Sequence, residues 1–200
     1  MPEIVLAQLN GDLSRTESDP EIQDLIRASD GLNVALDYLP GAINFDPAVD
    51  VVDSDFASRL VWFDTLVSNV DRTARNTNML MCKKQPWLID HGASLTFHHA
   101  WNGVVTDPGK PFAPSSEHVL LPLASQIAQV DAELAEKLTP EVLRAIVEEV
   151  PDCFLAQAAS ERGSDLLSDV QAHRAAYVNY FVARLAERGR WVQGVIDARA

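Results

Sequence analysis

Residues 69–92 read Asn-Val-Asp-Arg-Thr-Ala-Arg-Asn-Thr-Asn-Met-Leu-Met-Cys-Lys-Lys-Gln-Pro-Trp-Leu-Ile-Asp-His-Gly. Asp71 and Arg72 come first, Asn76 follows five residues after Asp71, and Asn78 lies two further on. Then come an apolar run, a polar turn, a second apolar run and Asp90-His91-Gly92. Two short apolar runs around a turn spell a β-hairpin. Strands are expected over Asn78–Lys83 and Trp87–Asp90, joined at Lys84-Gln85-Pro86. Such a hairpin returns the chain to its start and sets Asp90 beside Asn76. Gly92 is expected to supply the sharp turn after Asp90.

Upstream, Asp53-Ser54-Asp55 caps a helix running to about Ser68, with Phe56, Leu60, Phe63 and Val67 at helical spacing. Further back, Ile4 to Ala7 and Asn33 to Leu39 read as strands. Ser18-Asp19-Pro20-Glu21 opens a helix through Ala28. Residues 41–52 and 93–118 are loop-rich. Downstream, helices are expected over 123–137, from Thr139 to before Pro151, and from Ser168 to Glu187. The last carries an apolar stripe of Val170, Tyr177, Phe181 and Leu185. The pattern predicts an α+β chain with no internal repeat.

The chain has 200 residues, 47% of them hydrophobic and 22% charged, enough for an ordinary core. A net charge of −13 argues against a nucleic-acid or anionic-membrane surface, which needs clustered Lys and Arg. No apolar run reaches the roughly 18 residues of a membrane span, and the N-terminus lacks the basic start of a signal peptide. Cys82 and Cys153 fit no metal spacing and are expected as buried reduced thiols, as in a cytoplasmic protein.

Asp71, Asn76, Asn78 and Asp90 are the residues that suggest chemistry. Phosphoryl transfer uses a carboxylate to orient the acceptor hydroxyl and take its proton, and oxygen ligands for Mg²⁺. Asp71 is the candidate base. Asn76 or Asn78, with Asp90, are candidate metal and nucleotide ligands. Arg72 and Arg75 are placed to steady the loop or meet phosphate. The plain alternative is ordinary turn chemistry at each Asp and Asn.

The run Asp-Arg-Thr-Ala-Arg-Asn-Thr-Asn-Met-Leu, followed by Trp-Leu-Ile-Asp-His-Gly-Ala-Ser-Leu, resembles the HipA-like kinase domain family. That group is related to the HipA toxin kinases and, more distantly, to phosphatidylinositol kinases. Weaker similarity covers Glu21 to Leu25, Gly31 to Ala42, Trp62-Phe63-Asp64, Phe97-His98-His99 and Glu117 to Pro122, so most of residues 1–125. The resemblance implies a protein-kinase-like, mainly helical C-lobe over 53–200, with a short catalytic hairpin. Residues 1–52 would be a strand-containing remnant of the N-lobe and hinge. It implies ATP as donor and Mg²⁺ as cofactor, with Asp71 as base, Asn76 as metal ligand and Asp90 as the metal-binding Asp. Asn78 is a second candidate for the Asn role.

The departure is at the front. A kinase N-lobe carries a glycine-containing phosphate loop and a lysine on the phosphates. Here the first lysine is Lys83, beyond Asp71, and no glycine-rich loop precedes it. The alternative is therefore a non-catalytic binding or regulatory module, with a homodimer or partner protein on the N-lobe-facing surface. The phosphate acceptor is expected to be a protein or a small molecule.

Rival chemistries have little support. His91, His98, His99 and His118 show no zinc spacing. Ser94 has no nucleophile elbow. Trp62, Trp87, Trp101 and Trp191 read as packing residues.

Overall fold

Asp53 begins the helix that organises the larger part of the chain. Its carboxylate accepts from the Phe56 N–H at 2.7 Å, capping helix α2 (Ser54–Leu66). The structure is a computed structural model describing residues 1–100, 103–104, 106–156 and 169–200, with the side chains of His99 and Ala100 outside that set. Trp101 and the expected helix start at Ser168 also lie outside the described residues. The chain is an α+β structure, mainly helical, with two small antiparallel sheets among the described residues. Among the described residues no helix is long and apolar enough to cross a membrane.

Two compact units divide the chain. The smaller is Met1–Phe45 with Met79–Ile89, and the larger is Asp46–Asn78 with Asp90–Ala200.

In the smaller unit, β1 (Ile4–Leu9) pairs antiparallel with β2 (Gly31–Leu36), Ile4 opposite Leu36 and Leu6 opposite Val34. Between them lie a 3₁₀ turn (Gly11–Thr16) and helix α1 (Pro20–Ala28). Asp19 caps α1, and Pro20 takes its first position. A second sheet has the order β3-β4-β5, from Ile43–Asn44, Met79–Cys82 and Gln85–Leu88. The two-residue β3 falls in the segment 41–52, which was expected to be loop.

The hairpin turn also differs from expectation. Cys82 pairs with Gln85, so the loop is Lys83-Lys84 alone. Both lysines have positive φ, 51° and 64°, as a type I′ turn requires. That turn is normally signalled by Asn-Gly, so two lysines conceal it. Pro86 sits opposite Met81, the pair after the one that closes the turn, and β5 is an edge strand. Its missing N–H is therefore one the ladder does not use.

In the larger unit, α2 packs on α3 (Ile127–Lys137), α5 (Val170–Ala186) and α6 (Arg188–Arg199). Helix α4 (Pro140–Glu148) packs on α5. The core includes Leu60, Val61, Trp62, Ile127, Val130 and Trp191. The rings of Trp62 and Trp191 stand 5.3 Å apart, and the Trp62 indole N–H donates to Asp131.

The expected α2 stripe is only partly buried: Leu60 is interior, whereas Phe63 is 40% exposed. Helix α2 is enclosed on several sides, so periodicity on one face could not identify its core. Helix α6, beyond Glu187, was not expected. Cys82 is buried, but Cys153 is exposed, against expectation.

Two arginines on α5 act as caps for other helices. Arg184 donates to Thr65 O at 2.8 Å and Leu66 O at 3.0 Å, at the end of α2. Arg174 donates to Val147 O at 3.4 Å and to Val150 O, at the end of α4, and pairs with Asp152. Unpaired carbonyls at helix C-termini carry partial negative charge, which a guanidinium satisfies.

Candidate functional site

Asp64, near the end of α2, is 1% exposed and anchors the loop that follows. Its Oδ2 accepts from Arg72 Nε at 2.5 Å and from His118 Nε2 at 3.0 Å. Its Oδ1 accepts from Asn69 Nδ2 at 3.0 Å. The Leu120 N–H donates to His118 Nδ1, so that nitrogen carries no proton. The proton therefore sits on Nε2, and His118 is the neutral donor to Asp64. Burial alone would raise the Asp64 pKa. The His118 hydrogen bond and the Arg72 charge outweigh it and hold the carboxyl below its usual range.

Arg72, also 1% exposed, spans the loop. Its Nη1 donates to Asn78 O at 2.5 Å, and its Nη2 stands 3.4 Å from His91 Nδ1. One guanidinium thus ties α2 to the residues on either side of the hairpin. It steadies the loop and is too enclosed to meet a phosphate, whereas Arg75 is exposed. The loop is further held by an isolated bridge between Thr73 and His118 and by Val119 N–H on Arg72 O.

On this support stands Asp71. Its Oδ2 accepts from Asn76 Nδ2 at 2.7 Å and from Asn78 Nδ2 at 3.2 Å. Asn78 Nδ2 also reaches the Asp71 carbonyl, at 3.3 Å. A carboxylate oxygen accepts, so both asparagines present their nitrogens to Asp71, and their oxygens are the atoms left for a cation. Among the described residues, Asp71 Oδ1 takes no hydrogen bond.

Asn78 and Asp90 flank the hairpin, and both adopt left-handed backbone with φ of 46°. Asx residues tolerate that conformation better than other side chains. Asp90 is exposed, and its Oδ1 accepts from the Gly92 N–H at 3.2 Å. Asp90 takes the left-handed step, and Gly92 follows as expected in a tight turn closed by the Ser94 N–H on His91 O at 3.0 Å. A Cβ at Gly92 would lie 3.2 Å from Asp90 Oδ1, a tight contact that a small shift of that exposed carboxylate would relieve.

His91 packs edge-on to Phe63 with centroids 6.1 Å apart. Burial, reinforced by the Arg72 charge, pushes its pKa down. Its buried Nε2 has no hydrogen-bond partner among the described residues.

Asp71, Asn76 and Asn78 are thus brought together directly. Asp90 is linked to them through His91 and Arg72, and no hydrogen bond joins it to the three among the described residues. The buried support, Asp64 with Asn69 and His118, was not singled out from chemistry. Its trace in the sequence is the weaker resemblance over Trp62-Phe63-Asp64 and Glu117-His118.

The other histidines stay outside this cluster. His98 Nδ1 hydrogen-bonds the Tyr177 hydroxyl on α5, and the His99 side chain lies outside the described residues. Among the described residues no three His, Cys, Asp or Glu side chains gather as a metal cluster. No family model matches the chain, and no characterised protein or solved structure matches it.

Proposed function

We propose that the chain is a HipA-like, kinase-type protein that transfers a phosphoryl group from ATP, with Mg²⁺, to a hydroxyl acceptor. The observation that carries this reading is the clamping of one Asp71 carboxylate oxygen by two asparagine amides, above a fully buried ionic support. Such a clamp fixes the carboxylate's direction and leaves its other oxygen for an acceptor hydroxyl. Positioning of this kind is most of what phosphoryl transfer asks of a protein.

The donor set suits Mg²⁺, which prefers hard oxygens and keeps several waters. Asn76 Oδ1, Asn78 Oδ1 and the Asp90 carboxylate are all hard oxygen donors and would hold it. Bound there, the ion would neutralise charge on the phosphates. Asp71 would orient the acceptor and take its proton. Asn76 and Asn78 would hold Asp71 and the ion at once, nitrogen to one and oxygen to the other. Arg72 and Asp64 would keep that geometry from relaxing.

The test is thermal unfolding with and without millimolar Mg²⁺ and ATP, paired with a labelled-phosphate transfer assay. At about 100 times the dissociation constant, a ligand adds roughly 2.7 kcal/mol to the folded state. Wild type should show a metal-dependent shift that Asp90→Ala loses. Asp71→Ala should keep the shift and lose transfer. A full shift in Asp90→Ala would remove the metal assignment, and full transfer in Asp71→Ala would remove the base.

A second reading is a kinase-like binding module without turnover. It is favoured by an exposed apolar sheet face of Ile4, Leu6, Val34 and Leu36. A nucleotide-dependent shift with no transfer to any acceptor would select it.

A further inference from the structure

A cavity of about 690 Å³ lies within the larger unit, and none of Asp71, Asn76, Asn78 and Asp90 lines it. Its volume is that of a small-molecule site, where apolar walls bury a ligand and a few polar groups orient it. The apolar lining includes the rings of Phe97, Phe112 and Tyr180, with Val104 and prolines beside them, and the rings of Phe97 and Tyr180 are 4.2 Å apart. Ser68, Thr96 and Thr106 add hydroxyls.

Among the described residues two cations line it, Lys110 and Arg184. Arg184 is 3% exposed; its hydrogen-bond partners are four carbonyls, and its guanidinium carbon lies 5.1 Å from the Trp191 ring centre. Two belong to the end of α2, and two are Pro108 O at 2.9 Å and Lys110 O at 3.4 Å. A guanidinium has five N–H donors. The fifth, on Nη2, has no partner among the described residues. No carboxylate lies within ion-pair distance of Arg184 or Lys110 among them either. Asp107 lines the cavity, but its carboxylate is taken by Arg190 at 2.9 Å. Burial pushes the Arg184 pKa down, and the nearby Asp107 charge does not make up the difference.

A desolvated cation without an anion is costly, and an incoming carboxylate would relieve it. Aromatic walls favour a flat ring beside that charge. We propose that this cavity binds a small aromatic carboxylate, ring against Phe97, Phe112 and Tyr180, carboxylate toward Arg184 and Lys110. The proposal does not depend on phosphoryl transfer.

The experiment titrates the full chain with 2-naphthoate and, separately, with its neutral analogue 2-naphthamide, by calorimetry and ligand-observed NMR. Naphthoate is expected to bind saturably, and naphthamide about tenfold more weakly, the size of one charge-assisted hydrogen bond. Lys110→Gln changes an exposed side chain and should leave the melting temperature alone. It should weaken naphthoate several-fold and naphthamide hardly at all. Phe112→Leu should weaken both. Equal affinity for the two probes, naphthoate binding indifferent to Lys110→Gln, or no saturable binding by either would overturn the proposal. Should Phe112→Leu fail to fold, the Lys110 variant and the probe pair still decide.

Discussion

The sheet face of the smaller unit and the interior around Asp64 invert the usual division of side chains. Ile4, Leu6, Val34 and Leu36 lie on one face of β1–β2, opposite one another in register, and are 47–58% exposed. Helix α1 buries no residue at all. In the larger unit, Asp64 and Arg72 are each 1% exposed, beside His118 at 6%. Apolar surface left in water contributes nothing to folding, at about 25 cal/mol per Å² forgone. A buried ion pair gains little overall, yet losing one partner strands the other without water. Sensitivity to substitution should therefore follow burial rather than hydrophobicity. The charged residues of the larger unit should be the intolerant ones, and the aliphatic residues of β1–β2 the tolerant ones.

Asp64→Asn tests this most severely. The amide keeps the shape but removes the charge, leaving Arg72 buried and unpaired. The expected loss is about 3–5 kcal/mol, read by urea unfolding. The acid limb gives a second readout. The Asp64 pKa is lower in the folded state than in the unfolded chain, so its contribution is present above the unfolded value. It is lost as the pH falls through the folded value. Wild type should weaken below about pH 4, where unfolded aspartates titrate. Asp64→Asn should show a shallower acid limb. A loss under about 1 kcal/mol, with an unchanged limb, would mean that the network is ornamental and the loop is held by backbone alone.

How far the sequence announced this arrangement depends on which signal each part needed. The helix starts at Asp53, Asp19 and Thr139 were legible, because capping is local. So was the hairpin, from its two apolar runs. The Lys83-Lys84 turn was not, since positive φ at two lysines has no side-chain signature. Of the site, Asp71, Asn76 and Asn78 were legible as a spacing. Their mutual hydrogen bonds follow from a short loop that has little room to place them elsewhere. The support was not legible, because His118 lies 54 residues after Asp64 and no local period joins them. The caps from Arg174 and Arg184 were hidden for the same reason.

In the hairpin turn, substitution should move stability in the other direction. Lys83 and Lys84 each hold left-handed backbone, which costs an ordinary L-residue roughly 1–2 kcal/mol. The double substitution Lys83→Asn with Lys84→Gly supplies residues that adopt it readily. The hairpin amides should exchange more slowly with solvent, by a factor corresponding to about 1 kcal/mol. Amides of α2 should exchange as in wild type, because the turn lies in the other compact unit. Slower exchange throughout would instead show that the two units open together.

The smallest effect is expected where the side chains look most important by composition. Leu6→Gln and Val34→Thr replace a cross-strand aliphatic pair on the bare face of β1–β2. Both residues are more than half exposed, Leu6 at 51% and Val34 at 58%, so little buried area is lost. Each should change unfolding free energy by no more than about 0.5 kcal/mol, the range of surface substitutions away from special features. Their melting curves should nearly overlay wild type, while the same measurement on Asp64→Asn moves far. Solubility should improve, because an exposed apolar strand pair with open edges favours association between chains. A destabilisation above about 1.5 kcal/mol would show that water does not cover this face in solution. The tolerant half of the comparison would then fail. If that loss shrinks on dilution, a second copy is the cover, because only an oligomer's stability depends on protomer concentration.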